Sequence, residues 1–447
     1  MTDIPKSADA PDVALPTAPG ATAHDPAGLA ALRRRTHAVL IVSQILGGLG
    51  VAIGIALAAV LAEEVSGSEG LAGLASTASV VGTAMLSLPL ATLMAARGRR
   101  PGLTLAYLIA AVGGAIVVLG AVLDNFPLLL AGMAAFGAGS SANLQARFAA
   151  ADLAEPERRA RAISTVVWAT TIGAVLGPNI AAPAGRSVSA LGIGIPATAG
   201  PYLWGSVIFL IAGALVHLLL RPDPLLTARA LAAAESAAAG ERPAEDARSL
   251  RAGVAAVRAS SHARLALVTI AGTHTVMVSI MVMTPVALSH HGAGIDLIGL
   301  VISGHIAGMY ALSPVMGWLA DRVGRLSVIL LSVALLACAA ALAGSAGADH
   351  AQSAAALLVL GLGWSAGLVA GSALLTDSVP APARAAVQGL SDLTMNSAAG
   401  VGGALSGLVV AQAGYGWLTA LAAVLLLPVA GLTLLGTLRR AAHDQRG

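Results

Sequence analysis

Twelve apolar runs, each about 20 residues or longer and separated by short polar turns, leave this chain few ways to fold. A run of that length satisfies its own backbone in hydrocarbon only as a helix. Strands of a membrane barrel are half as long and alternate apolar with polar residues, which these runs do not. The runs fall at 37–61, 71–95, 102–123, 127–149, 162–183, 200–220, 263–288, 296–319, 326–346, 353–375, 386–410 and 416–437. Only 11% of residues are charged against 57% hydrophobic, too few charges to clothe a water-soluble globule.

An even number of crossings places both termini on one side of the membrane, and arginine names the side. Arg33, Arg34 and Arg35 precede the first run, Arg97, Arg99 and Arg100 follow the second, and Arg158, Arg159 and Arg161 follow the fourth. Arg322 and Arg325 follow the eighth, Arg384 the tenth, and Arg439 and Arg440 the twelfth. The opposite loops carry Glu63, Glu64, Glu69, Asp124, Asp296 and Asp349, with Arg186 the lone basic exception. Both termini are therefore expected in the cytoplasm, in a multi-pass protein of the inner or plasma membrane. The net charge of +3 and pI near 9.5 report this orientation rather than affinity for nucleic acid.

Residues 1–35, rich in Pro, Ala and Asp, lack the basic flank and apolar core of a secretory signal and read as a disordered cytoplasmic tail. Two helical bundles, 36–220 and 263–438, are joined by a polar segment at 221–262, with a short cytoplasmic tail at 439–447. Within the joining segment, 226–238 and 246–259 read either as amphipathic surface helices or as flexible linker. Cys338, the only cysteine, excludes an intrachain disulfide and reads as a small core residue.

The two bundles carry a faint internal repeat. Gly98-Arg99 matches Gly324-Arg325, and Gly137-x-Gly139-x-Ser141 matches Gly361-x-Gly363-x-Ser365. Asp152…Pro156…Arg159 matches Asp377…Pro380…Arg384, and every pair lies 224–226 residues apart. Related bundles around a joining segment imply a site between them near the membrane midplane.

The turn after the eighth run reads Gly317-x-x-x-Asp321-Arg322-x-Gly324-Arg325. It resembles the cytoplasmic-loop signature of the major facilitator superfamily of secondary transporters. The resemblance covers roughly residues 30–440 and implies twelve transmembrane helices in two pseudo-symmetric six-helix bundles. It also implies a cytoplasmic latch in which Asp321 meets the other half near Arg147, Arg158, Arg159 or Arg161. In the first half, Ala95 and Ala91 stand where the signature has Asp and Gly, so that latch lacks its acid. Gly173-x-x-x-Gly177-Pro178-x-x-Ala181-Ala182 in the fifth run is similar to a motif of the proton-driven drug antiporter branch, which favours export. Met133 stands where that branch often has an arginine, so its proton route does not transfer.

Polar groups inside the apolar runs are scarce and expensive, so each is a candidate for work in a cavity. Gln388, Asp392 and Asn396 form a stripe at i, i+4, i+8. Asp392, the only acid well inside a run, is a proton-carrier candidate, with His274 and His305 as companions near the midplane. Each also reads as a helix–helix hydrogen bond. Gln44, Asn143 and Arg147 are cavity candidates in the first half; Asn143 and Arg147 share a face from which Gln145 turns away, and snorkelling of Arg147 to the cytoplasm is the favoured reading. Trp168, Trp364 and Met277, Met281, Met283 and Met395 suit either an adaptable apolar wall or ordinary packing.

No metal-ligand spacing, cofactor motif or ATP-binding Gly-x-x-x-x-Gly-Lys segment is present, so neither an enzyme nor a nucleotide-driven pump is expected. The expected activity is proton-coupled efflux of a small apolar or amphipathic compound by a monomer in the lipid bilayer. The alternatives are a proton-coupled importer on the same fold and a non-transporting membrane sensor or scaffold.

Overall fold

In a computed structural model of the chain, the apolar runs are helical and pack as two bundles. The structure describes residues 26–444 apart from 56, 69, 70, 72, 193, 239–249 and 294. The first bundle holds Pro26–Ile55, Gly73–Arg97, Arg99–Val122, Phe126–Phe136 continued by Ala138–Asp152, Arg159–Ser189 and Gly200–Leu219, here spans one to six. The second holds Ser261–His290, Ile295–Tyr310 continued by Ser313–Val323, Arg325–Ser345, His350–Asp377, Arg384–Ala413, and Tyr415–Val424 continued by Leu427–Asp444, spans seven to twelve. Eleven stretches among the described residues are long and apolar enough to cross a membrane. Span four is the remaining crossing: the helix carries on through Gly137, and its more polar second half bears Arg147 and Asp152.

Span one begins at Pro26, earlier than the boundary expected at 36. The extra turns are anchored: Arg33 Nε donates to the carbonyl of Leu153 at 2.8 Å and its Nη1 to Glu155 at 2.6 Å. Residues 1–25 of the expected tail lie outside the described residues. Cys338 is exposed rather than buried in the core. It joins exposed large apolar residues such as Val112, Leu300 and Leu408, the surface a bundle presents to lipid.

Each bundle has its own apolar core, and the cores interleave at one end. Phe148, Ala151, Ala160 and Ile163 of the first bundle belong to the core of the second, while Ala385 belongs to that of the first. That end carries the arginine-rich turns. Glycine is required at its two sharpest corners, since Gly98 and Gly324 hold φ of 96° and 95°. Their backbones repeat each other just as their sequence positions do.

The described part of the joining segment forms helices Pro224–Ala238 and Leu250–Ala259. Both dock on the bundles. Asp223 accepts the backbone N–H of Arg100 at 2.7 Å, and Gly253 packs closely on Ala386 of span eleven.

Candidate functional site

Spans four and eleven meet in a buried polar network that joins the two halves. Arg147 Nη2 donates to Asp392 Oδ1 at 2.6 Å, with both side chains almost wholly buried. Gln145 Nε2 donates to the other oxygen of Asp392 at 2.8 Å, and Gln145 Oε1 accepts from Arg99 Nη1 at 3.0 Å. Arg99 holds Asp152 with two nitrogens, at 2.7 and 3.3 Å, and also donates to Gln388 Oε1. Gln388 in turn donates to Thr376 at 3.3 Å. A continuous chain therefore runs Asp152–Arg99–Gln145–Asp392–Arg147. Two acids face two arginines, so the network is charge-balanced, the condition under which ionised groups tolerate burial.

Arg147 departs from the snorkelling expected of it. Its guanidinium lies over the Phe148 ring at 4.7 Å and faces Asp392, an acid near enough to be reached across the bundle interface. Its Nε and Nη1 are buried and have no hydrogen-bond partner among the described residues. Gln145 does turn away from Asn143, as its helix position requires, but it turns into the network. Asn143 accepts from the Tyr107 hydroxyl of span three at 3.3 Å.

The other candidates are dispersed. Gln44 donates to Thr170 of span five at 2.8 Å. Asn396 spends its amide on the carbonyl of Asp392, one turn back on its own helix, at 2.8 Å. His305 is fully buried with Nδ1 at 2.8 Å from the Leu357 carbonyl, a link between spans eight and ten. His274 Nδ1 accepts from Trp364 Nε1 at 2.8 Å, and Tyr310 packs edge-on against the same indole at 5.7 Å. Because the indole can only donate, His274 in its neutral form carries its proton on Nε2. His274 and Tyr310 both lie in the electrostatic field of Arg147, whereas no hydrogen bond ties His305 to that group.

Asp321 does cross to the other half, but to backbone rather than to arginine side chains. Its oxygens accept the N–H groups of Ala160 and Arg161 at 3.2 and 2.9 Å. These are orphan donors at the start of span five, so the carboxylate caps that helix and faces its positive end. Arg147 and Arg158, named as possible partners, pair elsewhere, with Asp392 and Glu155. Arg325 pairs with Asp321 at 3.2 Å and with Asp377 at 3.1 Å, and Arg159 reaches Asp377 from the first half at 2.6 Å. Arg322 lies on the surface over Trp318. Gly317 packs on Ser164, where an added Cβ would sit 2.0 Å from the hydroxyl oxygen.

In the first half, where Ala95 replaces the acid, the joining segment supplies the fastening. Arg229 Nη1 donates to the Ala95 carbonyl at 2.7 Å and Nη2 to the Pro382 carbonyl of the second half at 2.9 Å. Sequence reasoning missed Arg99, Gln145 and Arg229. The repeat held a signal for the first, since Arg99–Asp152 and Arg325–Asp377 are matched ion pairs at matched positions.

In span five, Gly173 and Gly177 face the backbone of span one, where added Cβ atoms would lie 2.4 Å from Leu49 N and Ala52 Cβ. Small residues there permit close helix contact. The helix runs on through position 178 to Ser189.

Residues 39–294 and 265–447 match the family model of the Major Facilitator Superfamily. The chain is 38% identical over 409 residues to the uncharacterized MFS-type transporter YddS of Bacillus subtilis, covering 89% of this chain and 90% of that one. It is 28% identical over 371 residues to the riboflavin transporter RfnT of Brucella anthropi, covering 81% and 85%. The fold is similar to that of the human organic anion transporter MFSD10, with a TM-score of 0.68 at 17% identity over 90% of this chain and 99% of that one. With two helical bundles fastened at one end and a polar network between them, the chain belongs to the Major Facilitator Superfamily and is a multi-pass membrane transporter of small molecules, not an enzyme.

Proposed function

We propose that this transporter is a proton-coupled exporter of small apolar or amphipathic compounds, akin to the drug:proton antiporter branch, in which Asp392 carries the proton. The observation that carries this reading is the buried Arg147–Asp392 pair at 2.6 Å between spans four and eleven. While Asp392 is ionised, Arg147 holds it and the arginine-rich end stays shut. A proton on Asp392 removes the charge that Arg147 pairs with, so the two helices part and that end opens. Deprotonation restores the pair and returns the carrier to its first state. Asp321, Arg325 and Arg229 fasten the same end around this switch. Gly317 and Gly324 allow the close packing and the turn that the fastening needs. Gly173 and Gly177 let span five close on span one on the far side. His274 serves as a neighbour of the switch, and Gln44, Asn143, Gln388 and Asn396 supply polar contacts to cargo or to moving helices.

The domains taking part are the bundles at 36–220 and 263–438, with 221–262, 439–447 and both termini on the cytoplasmic side. The unit of transport is the monomer.

The test uses everted membrane vesicles holding a respiration-driven pH gradient, read by acridine orange fluorescence. Riboflavin comes first among the compounds, because a relative is named for its transport; lipophilic cations follow. Compounds that dissipate the gradient in wild-type vesicles and not in Asp392→Asn vesicles support the proposal. Equal dissipation in both variants overturns Asp392 as the coupling group. Import of a small solute on the same fold is the competing reading, separated by comparing right-side-out with everted vesicles.

A further inference from the structure

A hollow of about 280 Å³ lies at the arginine-rich end between the start of span one, the end of span four and the start of span five. Its wall includes Ala150, Leu153, Ala154 and Ala162. Its rim carries Arg33, Arg34, His37, Arg158 and Arg161, with Glu155 the one acid. Glu155 is engaged by Arg33 at 2.6 Å and by Arg158 at 3.7 Å, and Arg33 also holds the Leu153 carbonyl. Arg34 and Arg161 are exposed on the two sides of the opening, with Arg158 beside them and Asp321 within electrostatic reach of Arg161.

The helices carry the hollow onward into the membrane. On span one, Arg34, Ala38 and Val42 follow one another at i, i+4, i+8 and all are exposed. On span five, Arg161, Thr165 and Trp168 follow at i, i+4, i+7, with Trp168 38% exposed. A surface with cations at the membrane boundary and apolar side chains deeper in is complementary to one molecule type: a lipid with an anionic phosphate head and an acyl chain.

We propose that this hollow binds the head of one anionic phospholipid of the cytoplasmic leaflet, with Arg34, Arg158 and Arg161 on its phosphate and an acyl chain along Val42 and Trp168. The site sits directly under the elements that close the transporter. Glu155 on its rim precedes Pro156, whose carbonyl accepts from Arg325, and Arg161 gives its backbone N–H to Asp321. A bound anionic head therefore shields the repulsion among Arg34, Arg158 and Arg161 while these contacts are made.

Trp168 is the natural reporter. The full-length protein is reconstituted in phosphatidylcholine vesicles with a small fraction of dibrominated phosphatidylglycerol or dibrominated phosphatidylcholine. The tryptophan quenching lost on Trp168→Phe substitution is then measured. Brominated phosphatidylglycerol is expected to occupy the site about fivefold more strongly than brominated phosphatidylcholine. The preference is expected to vanish in Arg34→Gln/Arg158→Gln/Arg161→Gln and to persist in a charge-matched control, Arg221→Gln/Arg251→Gln/Arg258→Gln. Equal quenching by the two lipids, or loss of the preference in the control, overturns the proposal. So does relief of the quenching by sn-glycerol 1-phosphate at equal phosphate concentration, which assigns the site to a free phosphate. None of these readings depends on transport.

Discussion

Ala91 of span two packs against Gly389 of span eleven, where a Cβ added to the glycine would lie 2.1 Å from that of the alanine. The matched crossing, between spans eight and five, has the reverse assignment, with Gly317 facing Ser164. Each crossing admits one small side chain and needs a glycine opposite. The signature glycine lost at position 91 is thus recovered on the partner helix. Gly389→Ala is expected to overfill the crossing by about 1–3 kcal/mol and lower the midpoint of thermal unfolding. Exchanging the pair, Ala91→Gly with Gly389→Ala, is expected to restore most of the loss; an uncorrected double variant refutes the compensation.

Breaking the Arg147–Asp392 pair from one side leaves a buried charge, a cost of about 3–5 kcal/mol. Arg147→Gln is expected to loosen the closed end and destabilise the protein, and Arg147→Gln/Asp392→Asn to recover part of that stability. Thermal unfolding of the single and double variants measures the coupling, and additive losses contradict it.

Opening of that end should follow the proton on Asp392. With Cys338 replaced by serine, a cysteine at Ser391, buried beside the pair, is a probe for impermeant maleimide added to everted vesicles. Protonation removes the charge of one member of the pair, so labelling relative to that of the unfolded protein at the same pH should rise as pH falls. Taken relative to the same cysteine in unfolded protein at each pH, which removes the thiol's own titration, labelling in Asp392→Asn should be high and flat with pH. A pH response that survives this substitution places the titrating group elsewhere.

Asp321 and Arg229 fasten equivalent corners by different chemistry. Asp321→Ala removes a helix cap, a loss of about 1 kcal/mol. Arg229→Gln removes two charged hydrogen bonds to carbonyls of opposite halves, a loss of about 1.5–3 kcal/mol each before compensation by water. Both variants should raise maleimide labelling at position 391, Arg229→Gln at least as much as Asp321→Ala. Unchanged labelling in Arg229→Gln would deny the joining segment a part in closure.

The crossings were legible because lipid leaves a long apolar run a single solution, and the repeat was legible because the two halves still share their turns. The latch was only half legible. Position 321 pointed to the other half, but the partner proved to be backbone N–H, a group every residue carries and no sequence singles out. Arg147 was misjudged because snorkelling is decided by whether an acid lies within reach, and Asp392 is 245 residues away along the chain. Arg229 was hidden for a like reason: its acceptors are main-chain carbonyls.

Span four changes character at Gly137. Gly137 keeps helical hydrogen bonds to Met133 and from Ser141, its carbonyl also accepts from the Thr83 hydroxyl at 3.0 Å, and the 15 residues after it bear Gln145, Arg147 and Asp152. The 11 residues before the glycine are nearly all apolar, and the residues after it hold the ion pair that joins the two halves. One helix is thus divided between two duties, crossing the bilayer with its apolar half and tying the two bundles to each other with its polar half.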